Sequence, residues 1–519
     1  MPSSARLSPG HGLKPGSRFW AGRSVASVAI GILTTAICAM ALLAFALSFE
    51  GLIRHFVDTD KLLAADFVHR VFVLGRPWSD FQLPRTPSLF PDLLIAAPVQ
   101  LAASWQVAML IFAWLMLTIL VLTGAFVVHR ITDARFWLCV TIMLAVTVPL
   151  CLGEQWLSAR GEGRHYFTLS LVSHGGAFVM SLVTVALCEV SESMALAARR
   201  VAYVGIALLT AAIIVSDKLA VFELSIPAAL AVVAFAIPRS HGLKVALSLA
   251  AGTAIAMLGE RFLVMEPEWP LVFGLIPARI HAALTMTPLS ISVGTWLPAA
   301  IVLMVGLWSI FRSGAGRRMK FYAVAGSASI ALTSALTYAF LYVDATHIRY
   351  VQAMMWWPVV ALAVPLSFFA NRSLMSRRLV AGGLAVVLVG GLLVLSRWHA
   401  GALMNWHHPL ANCLAQAHQR LDLHQGLALY EHARPLTVAS GWRMQVDPVE
   451  ANGELTFWGS DLKSSSYRLN DPQAPPLYDF ILLDQLDRDA LVRRFGYPEG
   501  EFACGDAQFW VFRHGMNPN

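Results

Sequence analysis

Residues 50–100 read EGLIRHFVDTDKLLAADFVHRVFVLGRPWSDFQLPRTPSLFPDLLIAAPVQ. They follow a first apolar run, Ser24 to Phe49, and hold six of the chain's 31 carboxylates. The stretch begins polar, turns amphipathic, and passes Pro77, Pro84, Pro87 and Pro91 without becoming a long apolar span. From Asp60 onward, Leu63, Phe67, Val71 and Leu74 recur at helical spacing. That pattern predicts a helix lying on a membrane surface with Asp60 at its start.

Outward from this loop, the 519-residue chain is 57% hydrophobic and 13% charged. Soluble domains average about 45–50% and about 25%, so the composition describes an α-helical polytopic membrane protein. A span needs about 20 apolar residues. We place about eleven, near 25–47, 105–128, 135–153, 169–189, 201–216, 219–237, 244–259, 291–311, 321–342, 351–370 and 379–395. The stretches 92–104 and 271–288 are too short or too broken by proline, and read as partial or interfacial helices. The first run exceeds the ~7–15 residues of a signal-peptide core and reads as an uncleaved helix.

The charges orient these spans. With residues 1–24 taken as a cytoplasmic tail, the loops on that side carry 17 Lys/Arg against 3 acids, and the rest of the chain 21 against 28. The positive-inside rule then puts the N-terminus in the cytoplasm. It places the first loop, 48–104, and residues 396–519 outside, flanking a transmembrane domain over 25–395. The net charge of +7 is a topology signal, not a nucleic-acid signal. No zinc-finger spacing, P-loop, GxGxxG, HExxH, CxxC or nucleophile elbow occurs.

The last 124 residues change character. Pro435–Ser440, Arg443–Val446, Tyr478–Asp484 and Gln508–Arg513 read as strands. Leu410–Leu421 and Asp487–Phe495 read as helices. A small extracytoplasmic α/β domain is expected, with a disulfide between Cys413 and Cys504, its only cysteines, in an oxidising compartment. Cys38, Cys139, Cys151 and Cys188 fall in or beside apolar runs and read as core.

Several polar groups gather at the outer ends of the spans. Asp58 and Asp60 flank Thr59 in the first loop. Asp58 or Thr59 can cap the predicted helix and Asp60 complement its dipole. The alternative is a general base at the membrane boundary, or a carboxylate pair binding a divalent cation through oxygen. Glu154 and His165 lie between the third and fourth spans, His174 just inside the fourth, and Asp217-Lys218 in a tight turn that a solvated surface also explains. His347, Arg349 and Tyr350 precede the tenth span. Their shared side suggests an outward cavity holding acids and cations.

The chain resembles the GT-C superfamily of integral-membrane glycosyltransferases. The resemblance rests on Asp58-Thr59-Asp60, Trp78-Ser79-Asp80, Phe90-Pro91-Asp92-Leu93-Leu94, His347-Ile348-Arg349-Tyr350 and the strand Tyr478–Ile481. Thr59 separates the two acids, whereas the aminoarabinose-transferase branch has them adjacent. The resemblance implies a multi-span bundle, an essential first-loop aspartate, and a sugar donor linked to a polyprenyl phosphate in the bacterial inner membrane. The acceptor would be an envelope glycan, lipid or protein. Asp60 would be the base, with Asp58 the fallback. Arg349, with Lys218 or His347, would hold the donor phosphate. Asp217, His174, His165, Glu154, Tyr350, Asp80 and Asp92 would line the substrate cavity. A lipid or glycan flippase and a non-catalytic scaffold of the same fold are the competing readings.

The topology has a direct check. A reporter that works only in the cytoplasm, fused after Asn519, is expected to stay dark, and strong signal would reverse the orientation.

Overall fold

The computed structural model describes residues 25–47, 59–78, 83–84, 86–158, 174–235, 239–263, 272–286, 289–311, 316–341, 350–372, 382, 410–456 and 478–516. The membrane part contains helices α1 (Val25–Leu47), α2 (Leu63–Val68), α3 (Leu94–Ala102), α4 (Trp105–Thr132), α5 (Phe136–Ser158), α6 (His174–Val190), α7 (Leu196–Ser216) and α8 (Ile226–Phe235). It continues through α9 (Arg239–Gly259), α10 (Ile276–Met286), α11 (Leu289–Phe311), α12 (Arg317–Leu336) and α13 (Gln352–Arg372). Among the described residues, six helices are long and apolar enough to cross a membrane. Others expected to span, such as Phe136–Cys151 and Trp296–Trp308, are helical with shorter apolar cores. The stretch 379–395 lies outside the described residues, apart from residue 382.

Backbone polar groups in hydrocarbon must be satisfied within the segment, which is why these apolar runs are helical. Their outward faces are apolar too: Phe262 and Phe311 are 86% and 83% exposed, as expected where lipid is the solvent. Inside the bundle, small residues permit close approach. A Cβ on Gly252 of α9 would come within 2.4 Å of the Ala207 carbonyl of α7. At the basic end, Arg130 of α4 grips the buried Glu189 of α6 with two bonds, at 2.8 and 2.7 Å. Tyr322 and Arg318 of α12 reach the same carboxylate at 3.4 and 3.2 Å. That ion pair ties three helices together away from the first loop.

The C-terminal part runs α14 (Ala411–Leu421), β1 (Gln425–Leu429), α15 (Tyr430–Ala439), β2 (Gln445–Val449), β3 (Tyr478–Leu482), α16 (Arg488–Phe495), β4 (Gly500–Cys504) and β5 (Ala507–Met516). The strand order is β2-β1-β3-β5-β4. β1 is parallel to β2 and β3, and β5 antiparallel to β3 and β4. The expected strand Pro435–Ser440 is instead part of α15. β1 and β2 are parallel neighbours, and parallel strands need a crossover, usually a helix. Pro448 is tolerated in β2 because β2 is an edge strand. Strands β1 and β4 carry little sequence signal and were not expected.

A disulfide joins Cys413 of α14 to Cys504 of β4, with Cα atoms 5.7 Å apart and a sequence separation of 91. Closing a loop of that length stabilises by ~4–5 kcal/mol in the chain-entropy model. The paired change Cys413→Ser, Cys504→Ser is expected to lower the unfolding temperature of this domain markedly. Reductant should then have no further effect, and an unchanged melting curve would contradict the assignment.

Candidate functional site

Asp60 does not sit on α2 but in the turn before it, where its carbonyl accepts the Leu63 N–H at 3.3 Å. The residue flanking α2 is Leu62, which makes no side-chain cap. Thr59 therefore does not cap the helix, and Asp60 does not begin it. Both side chains turn to the C-terminal domain. The Tyr430 hydroxyl donates to Asp60 Oδ1. The Thr59 hydroxyl donates to the carbonyl oxygens of Tyr430 and Glu431, at 2.9 and 3.0 Å.

Pro435 explains that second contact. A helical proline has no N–H for the carbonyl four residues back, here that of Glu431. The Thr59 hydroxyl supplies the donor. Arg434 completes the exchange, its Nη1 donating to the Thr59 carbonyl at 2.5 Å.

One turn further on lies Asp66, a buried carboxylate. Arg70 Nε meets its Oδ1 at 2.9 Å, Trp442 Nε1 donates to the same oxygen at 3.1 Å, and Arg434 Nε lies 3.8 Å from Oδ2. Burial alone would push the Asp66 carboxyl up. The charges of Arg70 and Arg434, with hydrogen bonds from Arg70 and Trp442, outweigh it and hold the carboxyl below its ordinary range. His69 stacks on Trp442 at 3.9 Å between centroids. Burial and the Arg70 charge pull the His69 imidazole down against the pull of Asp66. Trp442 holds a left-handed backbone, φ 58°, a conformation a bulky side chain sustains only when its surroundings hold it. Tyr430 meets Asp60, and Trp442 meets His69, so α15 lies along the first-loop helix in the same direction. A cavity of about 20 Å³ remains between Thr59, Asp66, Arg70, Tyr430, Arg434 and Asp447, enough for one water.

A second polar group lies at the end of the bundle that meets the first loop. Asp217 is buried, which corrects the reading of Asp217-Lys218 as a solvated turn. Its Oδ1 accepts the Leu219 N–H at 3.0 Å, and its Oδ2 meets His174 Nδ1 at 2.6 Å. Tyr350 stands edge-on to His174 at 4.6 Å. Lys218 turns outward to Glu260, at 3.3 Å. Glu223 is buried beside Asp217, and neither of its carboxylate oxygens has a hydrogen-bond partner among the described residues.

The returning arm of the first loop touches both groups. The N–H groups of Ser88 and Phe90 donate to Ser216, at 3.2 and 2.6 Å, and the segment Leu89–Leu93 packs against α2, α6 and α7. Asp92 is buried on that segment. The structure joins His174, Asp217 and Tyr350 in one group, and the segment that carries Asp92 bridges from α2 to Ser216, the neighbour of Asp217. Asp58, Asp80, His165, His347 and Arg349 lie outside the described residues, and Glu154 falls on the last turns of α5. Among the described residues, no group of three or more His, Cys, Asp or Glu could hold a metal ion. Sequence reading missed Tyr430, Arg434 and Trp442. Only the Asp66–Arg70 pair, four apart on a helix, left a local signal.

No family model and no curated protein matches the sequence. Among solved structures, one match is ArnT from Cupriavidus metallidurans, crystallised bound to undecaprenyl phosphate. The TM-score is 0.51 over 94% of this chain and 98% of that one, at 11% identity. The fold is ArnT-like. The similarity spans the helical bundle and the C-terminal domain together.

The Asp66 clasp generates a pH dependence. A carboxyl depressed by folding contributes stability that is complete above its ordinary pKa and is lost as pH falls through the depressed value. Acidification through that window is expected to release the C-terminal domain, read as rising hydrogen exchange in residues 59–74 and changed Trp442 fluorescence. Asp66→Ala leaves two buried arginines without their carboxylate, a loss of ~3–5 kcal/mol. Unchanged exchange in that variant at neutral pH would contradict the clasp.

Proposed function

We propose that this protein is a GT-C-type glycosyltransferase with a lipid-linked donor. It would move a sugar from a polyprenyl phosphate to a glycan, lipid or protein acceptor at the outer face of the bacterial inner membrane. The observation that carries the reading is Asp60, a first-loop carboxylate held beneath the C-terminal domain in an ArnT-like fold. The undecaprenyl phosphate in the ArnT crystal supports a donor of that chemical class. The charge alternation supports about eleven crossings, with the N-terminus cytoplasmic and the C-terminal domain, 396–519, outside.

An apolar groove supports the lipid assignment. It has a volume of about 1000 Å³ and runs between α5, α11, α12 and α13, past Leu150, Leu297, Met319, Met354 and Phe369. One end lies at Met354 in the first turn of α13, four residues beyond Tyr350. An isoprenoid chain in the groove would bring its phosphate toward the polar group around His174 and Asp217. Arg349, His347 and Lys218 would neutralise that phosphate.

In the reaction, Asp60 takes the proton of the acceptor hydroxyl, with Asp58 the alternative base. The acceptor oxygen attacks the anomeric carbon, the bond from that carbon to the phosphate oxygen breaks, and the polyprenyl phosphate leaves with the electron pair. Cationic groups stabilise the charge that develops on it. The flippase reading has one observation in its favour, the buried Glu223 inside the bundle.

The test uses the full-length protein in nanodiscs with a panel of undecaprenyl-phosphate hexoses and pentoses, reading undecaprenyl phosphate release. Asp60→Asn is expected to lower turnover ~10²–10⁴-fold with expression and lipid binding intact. Wild-type turnover in Asp60→Asn with loss in Asp58→Asn moves the role to Asp58. Wild-type turnover in both ends the first-loop mechanism.

A further inference from the structure

We infer that Tyr430 is a positioning residue for Asp60, through which the C-terminal domain orients the reacting carboxylate. This rests on the reading of Asp60 as the base and extends it to a residue no sequence motif marks.

Three observations carry it. First, the Tyr430 hydroxyl donates directly to Asp60 Oδ1. A carboxylate so far from its backbone rotates about two bonds, and a donor on one oxygen fixes which way the other faces. Second, Tyr430 is itself held. It is the first residue of α15, directly after β1, and its carbonyl receives the Thr59 hydroxyl at 2.9 Å. Base and phenol are thus locked by neighbouring residues on both chains of the contact. Third, Tyr430 belongs to the carboxyl edge of the parallel strands. β2 and β3 lie on opposite sides of β1, so the chain changes direction between β1 and β3, where open α/β sheets place their sites. Across that gap His432 Nε2 lies 2.9 Å from Asp484 Oδ2. The edge facing Asp60 is therefore the polar, reactive edge of the domain.

The contact has a chemical consequence. A hydrogen bond to the charged form of a carboxylate favours that form, and a base must be ionised to accept the acceptor's proton. Removing the phenolic hydroxyl makes the carboxylate easier to protonate and takes away one restraint on its rotation. The first effect moves the acid limb of the pH–rate profile to higher pH. The second lowers turnover at pH values where the base is fully ionised.

The experiment compares Tyr430→Phe, Trp442→Phe and wild type in the nanodisc assay with undecaprenyl-phosphate sugars, across pH. Tyr430→Phe keeps the ring and removes one oxygen. It is expected to lower kcat roughly tenfold, the scale of one hydrogen bond to a charged group. KM for the donor should be unchanged, and the acid limb displaced to higher pH. Trp442→Phe weakens the same docked interface without touching Asp60, and should leave the position of the acid limb where it is. Equal displacement in both variants would show that docking, not positioning, sets the profile. No displacement in Tyr430→Phe would overturn the inference even if Asp60→Asn is inactive. Full activity in Asp60→Asn would overturn the underlying reading instead.

Discussion

The Asp66 carboxylate is the joint between the first loop and the C-terminal domain. It is buried, and it collects Arg70 from its own helix and Arg434 and Trp442 from the C-terminal domain. Buried ion pairs are poor sources of net stability, because desolvation offsets much of the attraction. Their effect is selective: an undocked or shifted domain would strand two guanidinium groups and a carboxylate in a half-dry crevice. The orientation of α15 against the first loop, and hence the meeting of Tyr430 with Asp60, follows from it.

The backbone makes the same connection a second time. Pro435 withholds a donor from the Glu431 carbonyl, and Thr59 answers it. The residue between the two first-loop acids thereby becomes a docking residue, which gives Thr59 a physical role of its own. Farther in, Ser216 receives the returning arm of the loop, and its neighbour Asp217 orients His174. The first loop is held from above by the C-terminal domain and from below by the bundle. If Asp60 is the base proposed above, a carboxylate held in this way would need little reorganisation when charge moves.

The legible and illegible parts of the sequence divide along one line. Features fixed by local pattern were readable. The apolar runs became helices, and Asp487 capped α16 by accepting the N–H groups of Asp489 and Ala490. Features fixed by distant partners were not. Pro435–Ser440 has strand-like composition but is helical, because β1 and β2 are parallel and need a crossover. Asp60 looked like a helix start because its spacing was right. Its true partner is 370 residues away, beyond the reach of any periodicity. For Asp217, in a short connection between two spans, a solvated turn and a cavity position were both open in the sequence; burial against His174 is tertiary and decides against the solvated turn. The site is tertiary, and sequence marked its acids without marking what holds them.

The proposed function requires a lipid-linked phosphate to approach the first loop where it meets the α6–α7 ends and the C-terminal domain. The most direct measurement is photocrosslinking of the full-length protein with an undecaprenyl phosphate bearing a diazirine next to the phosphate, with the labelled peptides mapped by mass spectrometry. The account predicts label in peptides covering residues 59–66 and 216–223, competed away by unlabelled undecaprenyl phosphate. Label confined to residues 130–135 and 317–322, at the Arg130–Glu189 end of the bundle, would contradict it.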